Sequence, residues 1–566
     1  MNINNMIEID GIPVEIGDER NLLDVIRKSG VKLPTFCYHS DLSIFGACRM
    51  CMVEDERGRL MASCSTLPKA GMKIFTNTQR LRKYRRNILE LLLADHCRDC
   101  TTCGNNGNCK LQSLARQFGI KSVRFENTKS EMAQDLSSPA IIRDPGKCIL
   151  CGDCVRECNE IQNVGAIDFA FRGSKAMIST AFDVPLSETQ CVGCGQCAAA
   201  CPTGAIIVRN DSMKAWNYLD DPETFVTCEI APAVRVAMGQ EMGMQPGENA
   251  LGRIVSALHR MGFDEVYDTS TAADLTVIEE ANEFIQRFRS GEKLPLLTSC
   301  CPAWVQYVEK RNPDFLPNVS TCRSPMSMFA SVIKEYYRDH LPEGKTKHVH
   351  IAIMPCTAKK FEASRPEFRS HDQQDTDVVI TTQELIKMIK ESGIVFEEVE
   401  PEAVDMPFGT YSGAGVIFGV SGGVTEAVLR KIATSDNRKG IASLAYTGVR
   451  GLDGVKECVI PYGDREVHIA ICSGLRNASD LLEAVRRGEK QFDLIEVMAC
   501  YGGCISGAGQ PYISRRRRIN RGNGLYRADS TTPIRRSQDN PMMKELYEGI
   551  LKGREHELLH VNYLKK

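Results

Sequence analysis

Nothing in this 566-residue chain approaches the ~18 consecutive apolar residues that span a bilayer. The start, MNINNMIEID, has neither the basic stretch nor the apolar core of a secretory signal. A cytoplasmic protein with no membrane partner is therefore expected. An excess of charge is missing as well. Lys+Arg 70 balance Asp+Glu 72 to a net −2, which argues against a dedicated nucleic-acid binder. No glycine-rich dinucleotide fingerprint and no flavin motif can be read, so nucleotide chemistry would need partner chains. Hydrophobic residues are not scarce: at 43% they exclude a largely disordered protein, and the length calls for several domains.

Cysteine is what the chain has in excess. It carries 25, mostly in short-spaced clusters. A reducing cytosol disfavours disulfides, and such spacing is the pattern of thiolates on metal.

Residues 1–80 read as a small β-rich domain. Ile7 and Ile9, then Asp10-Gly11, then Ile12, Val14 and Ile16 signal a β-hairpin. A helix over 21–29 stops at Gly30, and a second runs from about Thr78 to Asp95, with Leu81, Ile88, Leu91 and Leu92 on one side. Its basic run RLRKYRR reads as a solvated face or as a docking patch for an acidic partner. Residues 127–210 hold an internal repeat. From 211 to 566 short apolar strands (LPLLTS 294–299, HVHIAIM 348–354, FDLIEVMA 492–499) alternate with amphipathic helices, the signature of parallel sheets covered by helices. The segment SRRRRINRGNG (514–524) reads as a basic surface loop.

Four ligand groups precede residue 210. Cys37, Cys48, Cys51 and Cys64, spaced C-x10-C-x2-C-x12-C, suit a [2Fe–2S] cluster, with structural zinc as the alternative. His96, Cys100, Cys103 and Cys109 suit a [4Fe–4S] cluster with one imidazole ligand or a Cys₃His zinc site. Their place between two iron–sulfur modules favours the cluster. Cys148, Cys151, Cys154 and Cys158, then Cys191, Cys194, Cys197 and Cys201-Pro202, form the doubled run of two-cluster bacterial ferredoxins. The fourth cysteine of each run crosses over in that pattern. It assigns Cys148, Cys151, Cys154 and Cys201 to one cube, and Cys191, Cys194, Cys197 and Cys158 to the other. Four redox centres in line serve electron transport between a surface and a buried site.

Three later motifs each follow an apolar strand: TSCCPAW (298–304), MPCTAKKFE (354–362) and EVMACYGGCISGAGQP (496–511). Ligands bind at the carboxyl ends of parallel strands, so the three can converge there. Glycines 502, 503, 507 and 509 would let backbone approach a bulky group. The motifs resemble the L1, L2 and L3 signatures of [FeFe]-hydrogenases, and the accessory modules are similar to those of the long clostridial type.

That resemblance implies a multidomain α/β and α+β chain: a β-grasp, plant-type ferredoxin-like domain (1–80), a His-Cys₃ cluster domain (81–126), a two-[4Fe–4S] ferredoxin-like domain (127–210) and an H-cluster catalytic domain (211–566). It implies one [2Fe–2S] cluster, three accessory [4Fe–4S] clusters, and an H-cluster whose cube is linked to a diiron unit carrying CO, cyanide and a bridging azadithiolate. Cys301, Cys356, Cys500 and Cys504 would hold the cube, with Cys504 shared. Cys300 would exchange protons with the bridging amine along the path Cys300, Glu280, Ser320, Glu283, Arg287. Glu280, Glu283 and Arg287 share one helix face; read without the resemblance, they make a solvated face with a surface pair. Lys359 would hold a cyanide, and Met354, Met498, Phe418, Ala231, Pro232 and Pro325 would line the diiron pocket. The expected reaction is reversible reduction of protons to H₂, with a ferredoxin or flavodoxin as electron partner and maturation proteins supplying the diiron unit. A catalytic subunit of an NAD(P)-linked or electron-bifurcating complex, a hydrogen sensor and a cluster-assembly relative are the alternatives. Ala303 and Met326-Ser327 depart from the best-known members, where a glycine and a polar pair stand. Cys97 reads as a bystander, and Cys228, Cys322, Cys458 and Cys472 as structural thiols.

Overall fold

A computed structural model describes residues 5–127, 132–432, 448–462, 464–511 and 514–563. The chain is a mixed α/β multidomain protein and divides into two compact units. One comprises Met1–Glu160, Gly165–Thr189 and Cys197–Ile207, and the other Ile161–Val164, Gln190–Gln196 and Val208–Lys566.

The first unit opens with the expected hairpin. Strands Met6–Ile9 and Ile12–Glu15 pair antiparallel about Asp10-Gly11, both at positive φ, which a two-residue hairpin turn requires. They join Lys73–Phe75, Met52–Asp55 and Leu60–Ala62 in a five-stranded sheet. Helix Leu22–Lys28, capped by the Asn21 side chain, buries Leu22, Leu23, Val25 and Ile26 against it. Helix Gln79–Ala94 follows. Its basic run is not wholly a solvated face. Arg85 is buried and donates to the carbonyls of Met50, Met52 and Thr76, whereas Leu91, placed on the apolar side from sequence, is exposed. A shared core of Phe36, Leu89, Cys109, Leu111 and Cys151 joins segments from three of the cysteine groups within this unit, while Cys191 and Cys194 of the fourth lie in the second unit.

The second unit holds two four-stranded sheets. One runs Glu265–Asp268, Thr224–Ile230, Lys347–Met354, Val378–Thr381, all parallel. The other runs Leu296–Leu297, Leu494–Met498, Arg465–Ser473, Val455–Tyr462, with the last strand antiparallel. In the first sheet Val226, Cys228 and Ile230 face one apolar core beside Val349, Ile351 and Ile353. Helix Pro325–Arg338 contributes Phe329, Val332 and Tyr337 to a second core. Helix Ser270–Ser290 ends where Gly291 turns to positive φ.

Residues 514–524 are not a surface loop. Arg515–Thr531 is a helix, with Arg518 and Arg521 buried. Arg521 donates to the carbonyls of Ile505 and Pro511, and Arg518 to the Ser506 hydroxyl. The arginines turn inward because the 504–511 loop folds back and leaves carbonyls that need donors. Among the described residues no helix is long and apolar enough to cross a membrane.

Candidate active site

The carboxyl ends of strands from both sheets empty into one cavity. Ile230 leads to Ala231 and Pro232, Asp268 to Thr269, Leu297 to Cys300 and Cys301, Met354 to Cys356, and Met498 to Cys500. Cys504, Lys359, Pro325, Met326 and Phe418 complete the lining. The cavity offers about 80 Å³ to water centres, several times what one water needs. Sulfurs aside, its wall is mostly apolar. Every pocket residue expected from sequence is on it.

Two glycines close the loops. Gly503 has φ +95°, and a Cβ there would lie 2.6 Å from the Ser421 nitrogen; one at Gly507 would lie 2.1 Å from the Pro355 oxygen. These glycines admit neighbouring backbone, not only the bulky group inferred from sequence.

Among the described residues no three His, Cys, Asp or Glu side chains close on one point as ligands of a single metal ion do. Cys301, Cys356, Cys500 and Cys504 instead stand around the cavity. Burial pushes all four thiols up, and neighbouring sulfurs of the set push Cys356, Cys500 and Cys504 further. Four thiolates in that setting need a positive centre, so the donor set fits an iron–sulfur cube. Cys300 lies beside them, its thiol pushed up by burial and then by Glu280. Burial alone would lower the Lys359 ammonium. The Glu362 carboxylate, 2.5 Å away, outweighs that and holds it up, and Ser324 accepts a second bond at 2.6 Å.

Beyond Cys300 lies helix Ser270–Ser290. Glu283 is not in a surface pair: its side chain and that of Arg287 are 11% and 10% exposed. Glu283 accepts from Ser320 Oγ at 2.7 Å and from Arg287 at 2.5 Å. Arg287 also donates to the carbonyls of Asn318 and Val319. Glu280 differs. It is buried, and among the described residues neither carboxyl oxygen closes a full hydrogen bond, although the Ser299 backbone lies near enough to lower its pKa. Burial first, then the charges of Glu283 and Glu496, push its pKa up to about 8.

Sequence reasoning missed several neighbours. Gln196 Nε2 donates to Cys500 Sγ and to the Ser506 carbonyl, both at 3.0 Å. Cys194 is close enough to raise the Cys500 thiol. Cys322, read as structural, sits 3.7 Å from Glu283 Oε2. In the first unit, Cys148, Cys151, Cys154 and Cys201 line one pocket, the set that crossing ligation assigns to one cube. The Cys48 amide donates to Cys37 Sγ at 3.3 Å, and Cys51 and Cys64 are in side-chain contact.

Residues 224–508 match the family described as iron only hydrogenase large subunit, C-terminal domain. A protein named NADP-reducing hydrogenase subunit HndD, from Solidesulfovibrio fructosivorans, is 41% identical over 99% of both chains. The chain belongs to the iron-only hydrogenase family. Iron hydrogenase 1 of Clostridium pasteurianum is 33% identical over 99% of this chain and 100% of its own. A variant of [FeFe]-hydrogenase HydA1 from Chlamydomonas reinhardtii superposes with a TM-score of 0.53 at 33% identity, over 63% of this chain and 99% of that one. Residues 515–566 match the iron hydrogenase small subunit, so the arginine helix lies in a recognised hydrogenase segment. Accessory matches are a 2Fe-2S iron-sulfur cluster binding domain (6–79), an NADH-ubiquinone oxidoreductase-G iron-sulfur binding region (85–124) and a 4Fe-4S dicluster domain (147–205). This hydrogenase is thus an oxidoreductase acting on hydrogen, with iron–sulfur accessory domains.

Proposed function

We propose that the cavity is the seat of an H-cluster, with Cys301, Cys356, Cys500 and Cys504 as ligands of its cube and Cys504 shared with the diiron unit. The observation that carries this is the gathering of four cysteines from three distant loops around one cavity that also holds Cys300 and Lys359. Such a centre, when bound, supplies the redox chemistry by which protons and electrons become hydrogen. The chain supplies position, dryness and protons. Met354, Met498 and Phe418 exclude water. Lys359, kept charged by Glu362, presents an ammonium to an anionic ligand. Cys300, needed by no cube, is placed to carry protons between the cavity and Glu280. Ser320, Glu283 and Arg287 continue the path outward. Glu280, with no side-chain partner among the described residues, is the joint of that path: a carboxyl near pKa 8 gives and takes a proton at neutral pH.

The cysteine runs of the first 210 residues, with His96, would hold one [2Fe–2S] and three [4Fe–4S] clusters for electron supply. Gln196 would tune the cube through its bond to Cys500. The domain limits 1–80, 81–126, 127–210 and 211–566 belong to the same reading. Ferredoxin or flavodoxin is the partner such clusters serve. A second reading, a subunit of an NADP-linked assembly, is favoured by the full-length likeness to HndD.

Infrared spectroscopy of chain produced with maturation proteins tests the reading. CO and cyanide stretches should be present, and Cys504→Ser should abolish them. Loaded protein without those bands, or bands that survive Cys504→Ser, would refute it.

A further inference from the structure

Strands of a parallel sheet covered on both faces are ordinarily apolar on both. Here one face breaks that rule. Val226, Cys228 and Ile230 are core, but the alternate positions on the same two strands include, beside Phe225, Ala352 and Met354, the polar Thr227, Glu229, His348 and His350. Thr227, Glu229 and His350 are fully buried beneath helix Pro325–Arg338, with the Phe329 ring 5.8 Å from His350 and the Tyr337 ring 4.8 Å from His348. Thr227 and His350 are cross-strand partners, so the pleat places these four side chains in one stripe.

The stripe is hydrogen-bonded end to end. His348 Nε2 lies 2.9 Å from Thr227 Oγ1, which lies 2.9 Å from His350 Nδ1. His350 Nε2 lies 3.3 Å from Glu229 Oε1, and Glu229 Oε2 lies 2.7 Å from Thr269 Oγ1. Thr269 lines the cavity. At the other end the His348 side chain is half-buried, and its Nδ1, itself shielded from solvent, has no hydrogen-bond partner among the described residues. The chain therefore runs along the strands, from the side of the sheet away from the site to the carboxyl ends where the cysteines gather.

We propose that His348, Thr227, His350, Glu229 and Thr269 form a second proton relay into the cavity, separate from Glu280 and Glu283. The inference rests on reading the cavity as the site of proton chemistry. Each member has one atom that receives a proton and another that releases one. A proton taken at His348 Nδ1 releases the Nε2 proton to Thr227, whose own proton passes to His350 Nδ1. The Nε2 proton of His350 moves to Glu229 Oε1; Glu229 Oε2, which accepts from the Thr269 hydroxyl in the folded chain, gives its own proton to Thr269 once that hydroxyl turns away, and the Thr269 proton enters the cavity. One proton enters, one leaves and every group stays neutral. Burial supports that state: it pushes Glu229 well above the carboxylate range and lowers His348 to about 2 and His350 to about 3. Burying a polar stripe is costlier than burying aliphatic side chains of the same shape, so fold stability alone does not account for it.

Two measurements decide. In the cofactor-free chain, infrared difference spectra in H₂O and D₂O should show a protonated carboxyl band that Glu229→Gln removes, and ¹⁵N spectra should show His348 and His350 neutral. An ionised Glu229 overturns the proposal. In the loaded enzyme with the first path blocked by Glu283→Gln, exchange of H₂ with D₂O should persist at a reduced rate. Adding Glu229→Gln should cut that remainder by a further factor of about ten or more. Thr227→Val, which removes only the bridging hydroxyl, should do the same and serves if Glu229→Gln does not fold. A remainder unchanged by either substitution, or no remainder at all, overturns the relay. Failure of the first reading is distinguishable, because exchange would then be absent from the unsubstituted enzyme while the carboxyl band stayed.

Discussion

At the residue scale, the behaviour of Glu280 follows from its isolation. Burial and the neighbouring Glu283 charge keep it protonated up to about pH 8, whereas an unfolded chain ionises it near 4.5. Between those values the folded state binds more protons, so this group's contribution to stability falls as pH rises through the window. Glu280→Gln removes that dependence. In urea unfolding of the cofactor-free chain, the variant should match the wild type near pH 4.5 and exceed it by a few kcal/mol at pH 8, while hydrogen turnover of the loaded variant drops about 100-fold or more. Equal pH profiles would mean that Glu280 is already ionised. The sequence made the helix face of Glu280, Glu283 and Arg287 legible, because a 3.6-residue period survives any tertiary context. It could not disclose that Glu280 has no side-chain partner among the described residues while Glu283 has several. Gln196 was equally hidden: its contact with Cys500 spans 304 residues, and nothing local to Gly195-Gln196-Cys197 announces it. His348 and His350 stand in a run that reads as an apolar strand, and Thr227 and Glu229 in a stretch for which no element is read; alternation tells which side chains share a face but not what covers that face.

At the scale of elements, the strands were readable and the arginine helix was not. Apolar runs ending in cysteine motifs placed the site at strand carboxyl ends, although LPLLTS supplies only Leu296–Leu297 to the sheet. Residues 514–524 misled because four successive arginines and two glycines resemble exposed loop chemistry, and their burial depends on carbonyls ten to sixteen residues away. The helix acts as a clamp on the loop bearing Cys504. Arg521→Met would leave the Ile505 and Pro511 carbonyls without a buried donor, at about 1–3 kcal/mol each. It should lower the melting temperature and make iron bound at the cavity easier to strip with a chelator. Arg516→Met, at an exposed position of the same helix, should change neither. Equal chelator resistance in the two variants would show that the helix only packs beside the loop.

At the scale of the whole molecule, the question is where electrons come from. The likeness to HndD spans the full chain, and that relative is named a subunit of an NADP-reducing hydrogenase; Iron hydrogenase 1 is matched as fully. These likenesses do not settle the electron partner, and the accessory domains do not discriminate. Chemistry does. Accepting electron pairs from a dinucleotide and passing them singly to iron–sulfur clusters requires a two-electron carrier such as a flavin, and the chain has no flavin motif or glycine-rich phosphate loop. Purified alone under hydrogen, it should reduce ferredoxin or a viologen dye and leave NADP⁺ untouched. If it works within an assembly, adding the flavin-bearing partner chain should bring NADP⁺ reduction without altering the dye rate. NADP⁺ reduction by the isolated chain would place a dinucleotide site where the sequence offers no loop to cradle its phosphates, and would overturn the division of labour argued here.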